Sequence, residues 1–234
     1  MNIKSAIIDG ASILKRKFIS SADLDSEILM AEAIKKKREF LILNSSFNID
    51  KKDLRIFYEL IEKRSTRVPI AYITNKKSFW NSEFFVNKHT LIPRPDTELL
   101  IESTLNFVKN KNKLQVLDIG TGSGCILLSI LKEKKNFYGT GIDISKDTLN
   151  ICKINAVNLD VSNRLKLFKT DVDKFIIGKY DLIISNPPYI NKNKIKYLDL
   201  DVAKYEPLLA LDGGLDGLSE IRKVINKSSE LIKK

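Results

Sequence analysis

Histidine and cysteine are nearly absent: the 234 residues include one His, His89, and two Cys, Cys125 and Cys152, with no CxxC pair. That count leaves no material for a disulfide framework, a zinc site or His-rich metal chemistry, and it argues against a Ser-His-Asp hydrolase. No metal ligation is expected, and a reducing, cytoplasmic setting is the simplest reading. No apolar run approaches the roughly 20 residues that a membrane-crossing helix requires, so no membrane partner is expected. The N-terminus, MNIKSAIIDGASILKRKF, lacks the uninterrupted apolar stretch and small-residue cleavage site of a signal peptide and reads as mature structure. Internal repeats and low-complexity tracts are also missing.

What remains is a globular composition. A hydrophobic fraction of 43% with eleven Phe suffices for one large domain and a small one. The net charge is +11, which suits an acidic partner such as nucleic acid or a ribosomal surface. The lysines are scattered, however, and basic stretches such as Lys35-Lys36-Lys37-Arg38 are short. General enrichment in Lys, Ile and Asn accounts for the charge at least as well.

Residues 1–75 read as helical. Ile7, Ile8, Ala11, Ile13 and Leu14 recur at helical spacing, Ser21-Ala22-Asp23 offers a cap to a second helix, and KKDLRIFYELIEKRST is a third amphipathic stretch. Three helices make a small bundle, suited either to structural capping or to substrate docking. Residues 76–93 read as a β-hairpin linker. Aromatic and β-branched residues there flank turn-like spots at Asn81-Ser82 and Asn87-Lys88, with His89 at the second. Residues 94–234 then alternate strand and helix. LQVLDI, NFYGTGIDI, RLKLFKTD and YDLIIS are strands, and the helix after the second is capped by Ser145. Alternation of this kind implies an α/β fold, a parallel sheet with helices on both faces.

Two turns carry the chemistry. The first strand runs into Asp118-Ile119-Gly120-Thr121-Gly122-Ser123-Gly124. Glycines after the first strand let a ligand approach the backbone and let the next helix pack closely. The spacing is GxGxG, not the GxGxxG that seats a pyrophosphate on a helix N-terminus. Asp143, ending the second strand, is placed to accept hydrogen bonds from ribose hydroxyls. This combination resembles the S-adenosylmethionine signature of Rossmann-like methyltransferases. The resemblance implies that Asp171, with Val172 beside it, lies at the adenine.

The second turn is Ser185-Asn186-Pro187-Pro188-Tyr189, after the fourth strand. An amide nitrogen is a poor nucleophile because its lone pair is delocalised. Two acceptors, the Asn186 side-chain oxygen and the Pro187 carbonyl, can hold an NH2 group so that the lone pair faces a methyl donor. Proline suits this place because it lacks an N–H and fixes its own φ and its neighbour's conformation. Tyr189 can stack on a planar amide or base. Asn186, Pro187 and Tyr189 are thus the candidate catalytic residues, with Pro188 in the substrate site. NPPY resembles the motif of enzymes that methylate adenine N6, cytosine N4 or glutamine N5.

Further segments separate these. DSEILMAEAI, RVPIAYI, FW at 79–80, LIPRPDTE at 91–98 and YEPLLALDGGLDGL at 205–218 together resemble the release factor glutamine methyltransferase family (PrmC/HemK type), over nearly the whole chain. The resemblance implies a five-helix-like N-terminal module, a hairpin linker and a Rossmann-like catalytic domain. It implies methylation of the glutamine in the Gly-Gly-Gln loop of bacterial class 1 release factors. It places Gly120, Thr121, Gly122, Ser123, Gly124, Asp143, Asp171, Val172 and Asn186 at S-adenosylmethionine, and Arg94 and Glu98 near the substrate. Arg94 and Glu98 serve equally well as partners in an inter-domain salt bridge.

Two departures stand out. Many relatives carry tryptophan where Val172 stands, so only an apolar contact and a backbone N–H are offered there. The chain also stops at SSELIKK, inside the helix expected to precede another strand. YDLIIS is apolar throughout, as for a strand buried on both faces with a neighbour on each side, and without the next strand it becomes an exposed edge. A fragment, or the first half of a longer polypeptide, is therefore expected. The alternatives are an adenine-N6 DNA or RNA methyltransferase, disfavoured because no target-recognition segment is visible and nucleic acid is not expected as direct substrate, and an inactive S-adenosylmethionine-binding remnant.

Overall fold

A computed structural model describes residues 1–233. The chain forms two compact units, the first ending at Thr74 and the second beginning at Asn75.

The first unit is helical: α1 (Ile3–Lys15), α2 (Ala22–Ala33), α3 (Arg38–Leu43), α4 (Lys51–Ser65) and α5 (Ile70–Thr74). Periodicity alone predicts three helices. The other two, α3 and α5, are six and five residues long, too short to display a repeating apolar face. Asn2 and Asp50 cap α1 and α4 by accepting the Ser5 and Asp53 amides. Ser21 precedes α2 as expected but does not cap it; its hydroxyl donates to Asp25 instead, at 2.8 Å. Leu14, Leu29, Met30, Phe57 and Ile61 form the core of this unit. Gly10 admits close packing: a Cβ there would lie 2.6 Å from the Phe57 ring and 2.8 Å from the Ser26 hydroxyl.

The second unit opens with the hairpin β1 (Lys76–Phe79) and β2 (Ser82–Phe85), followed by α6 (Glu98–Phe107). The turn is Trp80-Asn81 and Ser82 already belongs to β2, one residue earlier than the Asn81-Ser82 spot suggests. Trp80 takes a positive φ of 52°. Glu98 stabilises it by accepting the Trp80 N–H at 2.9 Å.

There follow β3 (Gln115–Ile119), α7 (Cys125–Glu133), β4 (Tyr138–Asp143), α8 (Lys146–Asn158), β5 (Leu165–Lys169), β6 (Leu182–Ser185), α9 (Leu200–Tyr205) and α10 (Ser219–Leu231). Four strands pair in parallel in the order β5-β4-β3-β6. The chain winds outward from β3 through β4 to β5, then crosses back to place β6 on the other side. Ligands in open α/β sheets collect at such a reversal, beyond the carboxyl ends of the strands. Leu117, Ile119, Ile142, Phe175, Tyr180 and Leu231 form one core cluster of this unit, with Val172 and Val224 packed against it.

One expectation needs correction at the C-terminal end. Helix α10 finishes at Leu231, and Ile232 is extended, bridging Tyr180 in parallel through Tyr180 N–H to Leu231 O and Lys233 N–H to Tyr180 O, both 2.9 Å. Strand β6 stands at the edge of the sheet, as expected without a further neighbour: Ile184 is buried, and Leu182, Ile183 and Ser185 are half-exposed. An open cleft of about 370 Å³ lies between β6 and α10, lined by Ile183, Ile221, Val224 and Ile225 among others. Among the described residues no strand pairs with the outer edge of β6.

Candidate active site

Strand register assembles the site. Ile119 at the end of β3 pairs with Ile142 of β4 on one side and with Ser185 of β6 on the other. The residues that follow are Gly120, Asp143 and Asn186. Neighbouring strands lie about 4.8 Å apart, so three segments distant in sequence leave the sheet side by side. The Ser185 hydroxyl fastens this junction by donating to Ile119 O at 2.7 Å. On the far side, Lys169 of β5 pairs with Asp143, and Asp171 and Val172 follow.

The turn at residues 120–124 is shaped by its glycines. Gly120 and Gly122 have φ of +72° and +57°, and a Cβ on Gly120 would find nothing within 4 Å. These two keep the mouth of the turn open to a ligand. Gly124 serves packing: a Cβ there would lie 2.6 Å from Cys152 Sγ and 2.7 Å from Leu128. Thr121 and Ser123 are buried. Thr121 Oγ1 donates to Asp118 Oδ2 at 2.8 Å. The Asp143 carboxylate accepts Gly122 N–H at 3.1 Å and Ser145 N–H at 2.9 Å, so it is turned toward the open side of the turn. Burial raises the Asp143 pKa.

Asp118 is buried, its Oδ1 has no hydrogen-bond partner, and burial, with the Asp143 charge adding, pushes its carboxyl up to about 7. An open glycine mouth, a carboxylate at the rim and an unpaired buried acid oxygen beneath fit a cationic nucleoside ligand. Cys125 and Cys152 are free thiols, both pushed up by burial, Cys125 to about 12.

Asp171 caps the short turn after β5, accepting Asp173 N–H at 3.1 Å, and is half-buried. Val172 is half-buried, its side chain packed on the core cluster. In the second turn Asn186, Pro187 and Pro188 are half-buried and Tyr189 is 63% exposed. Asn186 Nδ2 donates to Thr97 Oγ1 at 3.3 Å. Arg94 is ion-paired through Nη2 to Glu206 Oε1 at 2.6 Å, and Glu98 holds Trp80 N–H. The structure thus gathers Gly120 to Gly124, Asp143 and Asn186 to Tyr189 at one end of the sheet, and engages the charged groups of Arg94 and Glu98 with protein partners.

Sequence reading missed several supports. Glu206, 1% exposed at its side chain, accepts both Arg94 and the Ile92 N–H at 3.0 Å. Asn155 is fully buried on α8; it accepts Phe85 N–H at 2.7 Å and donates to Phe85 O at 3.0 Å and Ser123 O at 2.9 Å. It completes the hairpin edge and holds the glycine turn together. Its only signal was an amide within the apolar stripe of INAVN.

Comparisons with known proteins identify the family. Residues 5–74 match the PrmC N-terminal domain, and residues 95–203 match the Methyltransferase small domain. The chain is 40% identical to the Release factor glutamine methyltransferase of Clostridium acetobutylicum, over 100% of this chain and 83% of that protein. It is 38% identical to the protein of that name from Buchnera aphidicola subsp. Acyrthosiphon pisum, over 99% of this chain and 82% of that one. In structure it is similar to the hMettl16 catalytic domain in complex with MAT2A 3'UTR hairpin 6. That match has a TM-score of 0.53 and 16% identity, over 64% of this chain and 58% of that one, a likeness of fold.

Proposed function

The chain belongs to the release factor glutamine methyltransferase family, and from that premise we propose that it methylates the side-chain nitrogen of the glutamine in the Gly-Gly-Gln motif of bacterial class 1 release factors. The methyl donor is S-adenosylmethionine, whose sulfonium supplies an activated methyl group when bound. The observation that carries the reading is the pairing of Ile119 with Ser185, which sets the glycine turn beside Asn186.

The chain's own residues divide the work. Gly120, Thr121, Gly122, Ser123 and Gly124 hold the donor, with Asp143 toward the ribose and Asp171 and Val172 toward the adenine. Asn186 Oδ1 and the Pro187 carbonyl accept the two N–H groups of the substrate amide and turn its lone pair outward. Pro188 stiffens the turn, and the exposed Tyr189 ring stacks on the amide plane. Preorganised acceptors also stabilise the positive charge that develops on nitrogen. No base is needed before transfer, because the proton is lost afterwards. Arg94 and Glu98 act by bracing this corner: Arg94 through Glu206, Glu98 through the hairpin turn. The helical unit at residues 1–74 serves as the docking module for the release factor, in the cytoplasm where translation ends.

The test is mass spectrometry of a bacterial class 1 release factor incubated with this chain and S-adenosylmethionine. We expect a gain of one methyl on the Gly-Gly-Gln glutamine, reduced by about 10²-fold or more in Asn186→Ala. Methyl transfer to adenine in nucleic acid, or transfer unaffected by the substitution, contradicts the proposal.

A further inference from the structure

Past Tyr189 the chain does not leave the site freely. Ile190 bridges Asp212 in parallel, with Ile190 N–H to Leu211 O at 3.1 Å and Gly213 N–H to Ile190 O at 2.9 Å. Lys192 N–H reaches Gly214 O at 2.9 Å, and the Asn191 side chain donates to Leu215 O. Residues 211–218 therefore wrap the exit of the NPPY turn, backbone against backbone.

Two glycines make this approach possible. A Cβ on Gly213 would lie 2.7 Å from Gly217 O, 2.8 Å from Tyr189 Cα and 2.9 Å from Pro188 O. A Cβ on Gly217 would lie 2.6 Å from Tyr189 O, and Gly217 also has φ +80°. Every one of these neighbours is backbone, so no flexible side chain can swing aside.

We propose that residues 211–218 form a mould that sets the position of the reacting corner, and that Gly213 and Gly217 are its positioning residues. The inference rests on the assignment of Asn186 and Pro187 as the amide acceptors. Two consecutive prolines leave residues 187 and 188 little freedom to absorb a push. A displacement imposed at Tyr189 Cα or Pro188 O thus passes to the Pro187 carbonyl. Misplacement of about 1 Å costs an oriented reaction about 10²-fold in rate. Neither glycine touches the turn at residues 120–124 or Asp143 in these contacts, so most of the proposed donor seat lies outside the mould.

Gly213→Ala is the decisive variant because Gly213 does not occupy the left-handed region; alanine adds the close contact without backbone strain. Turnover should fall by about 10- to 10²-fold, with S-adenosylmethionine affinity within about 2-fold of the parent. Gly178→Ala is the control for a general loss of stability. Alanine is strained there, at φ +83°, but its Cβ would meet only the Tyr180 side chain, at 3.2 Å or more; this variant should turn over at the parent rate. The parent chain is assayed alongside. Amide exchange at Ile190 and Lys192 reads the mould directly and should quicken in Gly213→Ala while β3 and β4 stay protected. Unchanged exchange at these amides overturns the mould, as does unchanged turnover in an active background. An inactive parent chain with quickened exchange would instead fault the functional assignment and leave the mould standing.

Discussion

Asp118 and Asn155 are two polar side chains sealed under the glycine turn, and they behave oppositely. Asp118 is held with one oxygen unpaired and its carboxyl raised from an ordinary value of 3.8 to about 7. The folded state therefore holds this proton more tightly than the unfolded chain. Stability from this group is complete below about pH 4 and is lost as pH rises through about 7, amounting to at most roughly 4 kcal/mol. Asp118→Asn should flatten that decline. Melting curves between pH 4 and 8 check it, and an equal pH slope in parent and variant contradicts it. Asn155, by contrast, satisfies three backbone groups. Asn155→Leu leaves Phe85 N–H, Phe85 O and Ser123 O without it, at a cost of about 3 kcal/mol. It should also weaken S-adenosylmethionine binding, because Ser123 belongs to the proposed donor turn. Urea unfolding and a binding titration decide this; a loss below about 1 kcal/mol refutes it.

Elements were legible where their signal is local. Strands β3 to β6 are short segments bounded by turn residues, apolar at residues 182–184 of β6 and alternating in β5, and Ser145 does cap α8, accepting Thr148 N–H at 3.2 Å. The glycine turn and NPPY also declare themselves, because glycine and proline impose their geometry on adjacent residues. Helices α3 and α5 were hidden by their brevity. Glu206 and Asn155 were hidden for another reason: their partners lie 114 and 70 residues away in sequence, at Ile92 and Phe85, and no local pattern encodes them. The same holds for Asp25 on α2, which joins Arg64 on α4 at 2.6 Å with both side chains buried. Arg64 also donates to Val68 O at 3.1 Å. Asp25→Ala removes the carboxylate that neutralises a buried guanidinium and should destabilise the helical unit by about 3 kcal/mol. Denaturation followed by helical circular dichroism measures this, and a change under about 1 kcal/mol contradicts it.

At the scale of the molecule, each unit carries its own hydrophobic core, while one end of a single sheet carries all of the proposed chemistry. The strand that delivers Asn186 is held by β3 on one side; on the other, among the described residues, the one bridge is from Tyr180, ahead of the strand, to Ile232. A strand laced on one side opens at lower free energy than the interior of its sheet. Heating should therefore disturb the amide acceptors before the fold melts. The rate should peak and decline at temperatures several degrees below the midpoint of unfolding, reversibly on cooling. S-adenosylmethionine, whose proposed seat is mainly on β3 and β4, should stay bound through that interval. Parallel temperature profiles of turnover, donor binding and ellipticity would reveal the gap, and a rate that climbs until the protein unfolds would show that β6 is as firmly held as its neighbours.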